Sequence, residues 1–233
     1  YFLREMLASK GDSIEGKKCA ISGSGNVAQF CAQKVLSYGG KVIAMSDSSG
    51  YVFDKDGIDE DKLAWIMDLK NNRRGRIKEY AKEYSGAVYH EGKRPWGEVC
   101  DIALPSATQN EIEEKGAKNL VKNGCLAVCE GANMPTSPAA YEILSNAGIL
   151  FGPAKAANAG GVAVSALEMS QNAAFDDWPS EKVDSKLDHI MTGIHKQCSD
   201  AAEEYDQKGN LVMGANVAGF LKVANAMMDQ GVV

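Results

Sequence analysis

The chain has 233 residues, of which 45% are hydrophobic and 24% charged, a composition typical of folded globular proteins and unlike that of disordered ones. Its 25 Lys and Arg residues against 31 Asp and Glu residues give a formal net charge of −6. This charge disfavours general binding to nucleic acids or to anionic membranes, and no uninterrupted apolar run approaches the ~20 residues of a membrane-spanning helix. We therefore expect neither a nucleic-acid nor a membrane partner.

Six cysteines and three histidines are scattered along the chain without a Cys-x-x-Cys pair or a mixed Cys and His cluster. This spacing predicts neither a metal site nor a disulfide framework, and it favours reduced, buried thiols. Such thiols are typical of cytoplasmic proteins, so we expect a cytoplasmic location. The chain starts at Tyr1, inside a predicted amphipathic helix, so we expect a domain of a longer protein, with an upstream targeting segment left open.

The first 45 residues carry the pattern of a helix followed by a β-α-β unit. A strand, a helix and a strand within about 30 residues imply parallel strands joined by a right-handed crossover. The predicted elements are a helix at 1–7, a strand at 18–22, a helix at 26–38 and a strand at 41–45. The apolar side chains predicted to share one face of the second helix are Val27, Phe30, Cys31, Val35 and Tyr38.

Residues 46–160 continue with alternating strand and helix patterns. Residues 46–57 are predicted to form a short excursion, with residues 46–49 followed by 51–53 and by the charged turn 54–57. Beyond it, the predicted strands are 101–104, 126–130 and 149–152, and the predicted helices are 60–70, 77–84, 111–122 and 138–146. This alternation is typical of an α/β fold with a doubly wound sheet flanked by helices.

From residue 161 the pattern is helical only, which adds a C-terminal helical segment to the fold. Two long apolar stripes run along it, the first from Val183 to Tyr205 and the second from Val217 to Met228. The simplest interpretation is that both stripes face a core. The alternative is that one of them packs on a domain outside this chain.

A glycine-rich loop follows the first predicted strand and begins the second predicted helix. Residues 23–28, Gly-Ser-Gly-Asn-Val-Ala, match the pattern G-x-G-x-x-[GA] in the β-α-β setting that this pattern requires. Gly23 allows a tight turn, Gly25 lets backbone amides approach a pyrophosphate, and the helix N-terminus presents positive partial charge to the anion. These features predict a Rossmann-like dinucleotide-binding site. The residues predicted to hold the pyrophosphate are Gly23, Ser24, Gly25, Asn26 and Val27.

The end of the second predicted strand bears on the choice between NAD and NADP. Asp47 lies about 20 residues beyond the glycines, where an acidic side chain accepts hydrogen bonds from the adenosine ribose of NAD. Two unit charges ~4 Å apart repel by roughly 4 kcal/mol at an effective dielectric of 20, so Asp47 alone disfavours the 2′-phosphate of NADP. A basic run at Lys70, Arg73, Arg74 and Arg76 would reverse this preference. The residues by themselves leave NAD and NADP open.

Six stretches carry a resemblance that extends over essentially the whole chain. They are 22–28 (SGSGNVA), 46–50 (SDSSG), 103–110 (ALPSATQN), 130–135 (EGANMP), 155–162 (KAANAGGV) and 214–220 (GANVAGF). In this order and spacing the chain resembles the C-terminal, cofactor-binding half of hexameric glutamate dehydrogenases, above all of the NADP-dependent type. One departure is Ser106, where many members have Cys, and we interpret that position as structural.

The resemblance implies roles for the matching residues and favours NADP as the cofactor, with NAD as the alternative. Residues near the 2′-phosphate would be Ser48, Lys70 and Arg76, beside Asp47. Residues beside the nicotinamide ribose would be Ala107, Thr108 and Asn110, and those near the nicotinamide and the closing cleft Asn133 and Asn158. Substrate-binding residues would be Val162 and Ser165, with Ser165 bonding the distal carboxylate of glutamate.

The implied activity of the whole protein is the reversible oxidative deamination of L-glutamate to 2-oxoglutarate and ammonia, carried out by a homohexamer. In the family the general acid and base groups lie on an N-terminal domain, so we expect no catalytic residue here and nucleotide binding without catalysis by this chain alone. The implied organisation is a helix at 1–12 leading in from a missing substrate domain, a dinucleotide-binding domain at 13–160, and helices at 161–233 that pack on it and towards the missing domain.

Two alternatives to this activity stay open. One is a non-catalytic dinucleotide-sensing module, which would need only the glycine-rich loop. The other is a dehydrogenase of another amino acid. Ser165 counts against an apolar amino acid, because an apolar side chain makes no use of a hydroxyl group.

Overall fold

The structure is a computed structural model that describes residues 1–231. The chain divides into two compact units, one formed by residues 10–150 and the other by residues 1–9 together with the chain from Phe151 onwards. The strands of the described chain are β1 (Lys18–Ile21), β2 (Lys41–Asp47), β3 (Gly50–Ile58), β4 (Ala87–Glu91), β5 (Ile102–Leu104), β6 (Ala127–Cys129) and β7 (Leu150–Gly152). Its helices are α1 (Phe2–Ala8), α2 (Asn26–Ser37), α3 (Glu60–Asn71), α4 (Tyr80–Glu83), α5 (Glu114–Lys122), α6 (Pro138–Asn146), α7 (Ala154–Ala157), α8 (Gly160–Ala173), α9 (Ser180–Glu204) and α10 (Leu211–Gln230).

The strands form one mixed sheet in the order β4-β3-β2-β1-β5-β6-β7. As predicted, β1 is parallel to its neighbours β2 and β5, and β5 is parallel to β6. The strand order reverses at β1, since the chain first adds strands on one side of it and later on the other. In open α/β sheets, ligands bind at the carboxyl ends of the strands at such a switch point. The α/β fold with a doubly wound sheet is therefore confirmed, and the glycine-rich loop after β1 lies at that point.

The prediction of a short excursion at 46–57 is wrong, because residues 50–58 form β3, which lies antiparallel between β2 and β4. The supposed charged turn is part of this strand. Asp54 is buried in it, where Lys62 Nζ (2.8 Å) and the Tyr80 hydroxyl (2.7 Å) both donate to its Oδ2. Burial raises the pKa of Asp54, but these hydrogen bonds outweigh burial and hold its pKa below the ordinary value. A buried, paired carboxylate is thus found where the sequence pattern predicted a charged turn.

The buried face of α2 also differs from the predicted one. Val27 and Phe30 of the predicted face are 50% and 58% exposed, whereas Val35 of that face is buried together with Ala28 and Ala32. The small side chains of Ala28 and Ala32 let the helix lie close to the sheet, and this close packing leaves the larger apolar residues Val27 and Phe30 outside. This packing leaves the first turn of α2, including Val27, at the surface beside the glycine-rich loop.

In the second unit, α1 packs its apolar side chains inward and pairs with α9 through charge. Arg4 Nη1 and Nη2 donate to the two carboxylate oxygens of Asp188 at 2.9 and 2.6 Å. Phe2 meets the ring of His195 edge to face, with ring centroids 5.2 Å apart. The helices α9 and α10 pack so closely that a Cβ atom at Gly214 would overlap the backbone carbonyl of Cys198.

The two apolar stripes of this unit do not both face a core. On α9 the stripe is buried at Met191, Cys198 and Ala202, but on α10 the side chains of Phe220 and Met228 are 69% and 79% exposed. The prediction that the second stripe faces a core is therefore wrong for Phe220 and Met228. By its length and its mean hydropathy of 1.3, α10 is long and apolar enough to cross a membrane. Apolar helices of soluble proteins can have the same length and hydropathy, so these two properties are only weak evidence of a membrane span.

Candidate functional site

The glycine-rich loop is held in place by Gly23, whose φ of +89° lies in the left-handed region that favours glycine. Its N–H donates to Ser46 Oγ (2.8 Å), and its carbonyl accepts from the Ser46 amide (3.1 Å). A Cβ atom at Gly23 would lie 3.0 Å from the Ser106 carbonyl oxygen and 3.2 Å from the Ala107 Cα atom. Gly23 is thus needed for a close approach between this loop and the segment that follows β5.

Gly25 has a different role, because it precedes α2 in extended conformation and faces open space. Apart from its two chain neighbours, no residue of the described chain would lie within 4 Å of a Cβ atom placed there. Within residues 1–231 no side chain caps α2, which leaves the amides of its first turn without the usual capping oxygen. An open helix N-terminus with room above it is the geometry that accommodates a phosphate group.

A cationic corner lies at the end of β2, beside this loop. Arg76 Nη1 donates to Ser48 Oγ (2.9 Å), and Lys70 Nζ donates to the Gly75 carbonyl (2.9 Å) while lying 3.8 Å from Asp47 Oδ2. Asp47 is almost buried, and its carboxylate accepts from the backbone amides of Ser49 (2.8 Å) and Ile77 (2.9 Å). The negative charge of Asp47 is therefore already stabilised by two backbone amides and by the nearby Lys70.

These features line one groove of about 460 Å³ in the unit formed by residues 10–150. Ten of the fourteen residues predicted to bind the cofactor are brought together there. They are Gly23, Ser24, Gly25, Asn26, Val27, Asp47, Ser48, Lys70, Arg76 and Ala107. Ser106 also lines the groove; its hydroxyl donates to the Leu104 carbonyl (3.1 Å), in keeping with a structural role.

The segment after β5 holds two further predicted residues and one that the sequence analysis missed. Thr108 and Asn110 are exposed, and Asn110 takes a left-handed φ of +52° and lines a second cavity of about 680 Å³. The missed residue is Glu111, whose buried Oε1 accepts from the amides of Ala107 (3.0 Å) and Thr108 (3.3 Å). Its neighbours in the sequence, Asn110 and Ile112, gave no sign that this carboxylate is buried.

The remaining predicted residues do not line the groove and come later in the sequence. Asn133 is exposed in the loop after β6, next to Met134, whose carbonyl accepts from the Asn110 amide (3.0 Å). In the second unit, Asn158 ends α7, and Val162 and Ser165 are exposed on the first turns of α8. The Ser165 hydroxyl donates to the Gly161 carbonyl one turn earlier (3.2 Å).

Comparison with known proteins places this chain in a family. The family model described as glutamate/leucine/phenylalanine/valine dehydrogenase matches residues 1–231. The chain belongs to this family. Its relatives include the glutamate dehydrogenase of Bacteroides thetaiotaomicron, which is 58% identical, and the NADP-specific glutamate dehydrogenase of Escherichia coli, which is 52% identical. Each of the two alignments covers the whole of this chain and 52% of the length of the relative.

Solved structures of glutamate dehydrogenases share the fold of this family member. The enzyme from Plasmodium falciparum is 46% identical, with a TM-score of 0.97 over 100% of this chain and 50% of that chain. A Thermus thermophilus hetero-hexameric glutamate dehydrogenase has a TM-score of 0.83 over 100% of this chain and 52% of that chain, and at 20% identity it supports the fold alone. The chain spans about half the length of the curated relatives it matches.

Proposed function

We propose that this chain is the cofactor-binding, C-terminal half of a glutamate dehydrogenase that uses NADP(H). The observation that carries the proposal is the groove itself, in which a glycine-rich loop, an uncapped helix N-terminus and two cations converge at the switch point of the sheet. The groove suits a dinucleotide because the open space at Gly25 leaves room for a pyrophosphate against the amides of α2.

The corner at the end of β2 supports NADP over NAD. Arg76 and Lys70 would both face a 2′-phosphate beside Ser48, and a guanidinium group forms strong charge-assisted hydrogen bonds with phosphate oxygens. Asp47 would repel such a phosphate less than the sequence predicts, because two backbone amides and Lys70 already surround its carboxylate. Two curated relatives bear on the same point, since one is named NADP-specific and another NAD(P)-specific.

The bound nicotinamide would supply the hydride chemistry, and this chain would hold and orient it. Ala107, Thr108 and Asn110 would position the nicotinamide ribose, with Asn133 and Asn158 nearer the ring. On α8, the exposed Val162 and the Ser165 hydroxyl would contact glutamate or 2-oxoglutarate. An exposed hydroxyl suits a substrate whose side chain ends in a carboxylate, which favours glutamate over an apolar amino acid.

The remaining parts of the activity would come from the other half of the protein. We propose that residues 13–160 bind the nucleotide and that residues 1–12 and 161–233 connect it to a substrate domain that carries the acid and base groups. The whole protein would be a cytoplasmic homohexamer that releases or assimilates ammonia.

Nucleotide titration of the intact protein tests the cofactor. We expect Arg76→Ala and Lys70→Ala each to weaken NADPH binding by about tenfold to a hundredfold, since each removes a charge-assisted contact, while NADH binding changes little. Lys78→Ala is the matched control, because this exposed lysine lies outside the groove. An unchanged ratio of NADPH to NADH affinity in both variants would refute the assignment of the corner to the 2′-phosphate.

The substrate is tested separately. Ser165→Ala in the intact enzyme should raise the KM for glutamate without changing NADPH affinity. An unchanged KM would contradict the role given to Ser165. Tight NADPH binding with no turnover of any amino acid would favour the dinucleotide-sensing alternative.

A further inference from the structure

Glu111 is a buried carboxylate that touches the backbone of the segment expected to face the nicotinamide ribose. Its side chain is 0% exposed, and Oε1 accepts from two consecutive amides, those of Ala107 and Thr108. The Ser22 hydroxyl also interacts with this carboxyl group, and Arg94 Nη1 lies 3.8 Å from Oε2. A carboxylate is costly to bury, so a site that keeps one depends on the contacts it makes.

The contacts of Glu111 decide which way the segment 107–110 faces. Because the carboxylate takes the amides of Ala107 and Thr108 from the inner side, the side chains of residues 107–110 are left on the outer side, where all four residues are exposed. The backbone of Glu111 is anchored as well, since the Trp96 Nε1–H group donates to its carbonyl (3.1 Å). The carboxylate therefore links this anchored backbone to the amides of Ala107 and Thr108.

The same segment forms one wall of the groove. Ser106 and Ala107 lie against Gly23, and the Ser106 amide donates to Ser22 Oγ (2.8 Å) at the end of β1. At its other end, the Asn110 amide donates to the Met134 carbonyl (3.0 Å). Between these two anchors, the carboxylate of Glu111 is the side chain that holds the amides of residues 107 and 108.

We propose that Glu111 is a positioning residue that presents residues 107–110 to the nicotinamide half of the cofactor. This inference rests on the proposed function for the identity of the ligand, but the holding of the segment itself does not. Glu111 acts through the backbone amides and would not touch the cofactor. The adenosine half, expected at Ser48, Lys70 and Arg76, is bound by other elements and would not depend on it.

Three variants of the intact protein separate this role from a general structural one. Glu111→Ala removes the acceptor, Glu111→Gln keeps a neutral Oε1 acceptor of the same length, and Glu111→Asp withdraws the carboxylate by one methylene group. Hydrogen exchange of the peptide that covers residues 106–110 reports on the two amides without any ligand. NADPH reports on both halves of the cofactor, and 2′,5′-ADP reports on the adenosine half alone.

We expect Glu111→Ala to speed exchange at residues 107 and 108 and to weaken NADPH binding by about tenfold, with 2′,5′-ADP binding within about twofold of wild type. Glu111→Gln should restore both properties to near the wild-type values. If the alanine variant does not fold, Glu111→Asp takes its place with the same expected direction.

Two outcomes would overturn the inference. Unchanged exchange at residues 107 and 108 would show that the carboxylate does not hold the segment, and equal weakening of NADPH and 2′,5′-ADP would show a general structural role. Failure of the wild-type protein to bind either nucleotide would instead refute the proposed function, while the exchange measurement would still test the holding of the segment.

Discussion

Gly23 and Gly25 are separated by one residue, and we expect substitution of Gly23 to lower both stability and affinity but substitution of Gly25 to lower mainly affinity. Replacing Gly25 by valine places a side chain in open space, on a backbone with φ of −85° and ψ of −172° that a β-branched residue adopts without strain. The variant should lose only about 0.5–1 kcal/mol of stability, the usual effect of a poor residue at a helix N-cap. Its side chain would nevertheless fill the space above the amides of α2, where the pyrophosphate is expected.

The loss of binding can be worked from the hydrogen bonds at stake. Displacing a pyrophosphate from one or two amides removes charge-assisted hydrogen bonds worth about 1.5–3 kcal/mol each. Nucleotide affinity should therefore fall by at least about tenfold, and by more than about a hundredfold where both amides are lost, since about 1.4 kcal/mol corresponds to a factor of ten. Gly25→Val is thus expected to be a folded protein that binds its cofactor weakly.

Gly23→Ala is the matched comparison. A side chain at φ of +89° costs about 1–2 kcal/mol, and overpacking against the Ser106 carbonyl at 3.0 Å adds about 1–3 kcal/mol. This variant should lose stability as well as affinity, and its Tm should fall by roughly 5–15 °C, given about 2–4 °C per kcal/mol for a domain of this size.

Thermal unfolding and calorimetric titration with NADPH, run on the same preparations, provide the measurement. A Gly25→Val protein that unfolds as easily as Gly23→Ala would refute the assignment of open space at Gly25. A Gly25→Val protein that binds NADPH as tightly as wild type would remove the glycine-rich loop from the binding site.

Two further predictions concern stability. Lys62→Met should lower the free energy of unfolding in denaturant by about 3 kcal/mol, because it leaves the buried Asp54 carboxylate without its cation. The control Lys118→Met breaks an exposed pair and should lower it by less than about 0.5 kcal/mol. Equal effects of the two substitutions would contradict the burial of Asp54. Burial lowers the pKa of His195, so the folded state favours its neutral form. The contribution of this neutral histidine to stability is fully present above the unfolded-state pKa of about 6.5, and it is lost as pH falls towards the lower pKa of the folded state. Between pH 7 and pH 5 the Tm of wild type should therefore fall more than that of His195→Gln, and parallel curves would show that His195 does not titrate on unfolding.

The β-α-β unit could be predicted from the sequence because its signals are local. The apolar runs at residues 18–22 and 41–45, and the glycines between them, each indicate their structure within a few residues. The same local motif predicted most of the groove. Lys70 and Arg76 were harder, because they lie on and after α3: the basic run at residues 70–76 indicated a possible contact with the 2′-phosphate, but only the resemblance to a known family singled out these two residues.

Other features depend on contacts between distant residues and left no local pattern. β3 was missed because Asp54 is polar and yet buried, and its partners Lys62 and Tyr80 come from later elements. Glu111 was missed for the same reason, since its importance lies in the amides that its carboxylate meets. On α2 the choice of inner face depends on how closely the helix lies on the sheet, which the apolar pattern does not record.

The engagement of Asp47 by the backbone has a consequence for redesign. Neutralising that acid is an obvious first step for a redesign that aims at a stronger preference for NADP, because the acid repels a 2′-phosphate. Its two carboxylate oxygens, however, accept from the amides of Ser49 and Ile77, so the substitution would loosen the corner that carries Arg76. A redesign of coenzyme preference in either direction would therefore keep Asp47 and alter the cations around it.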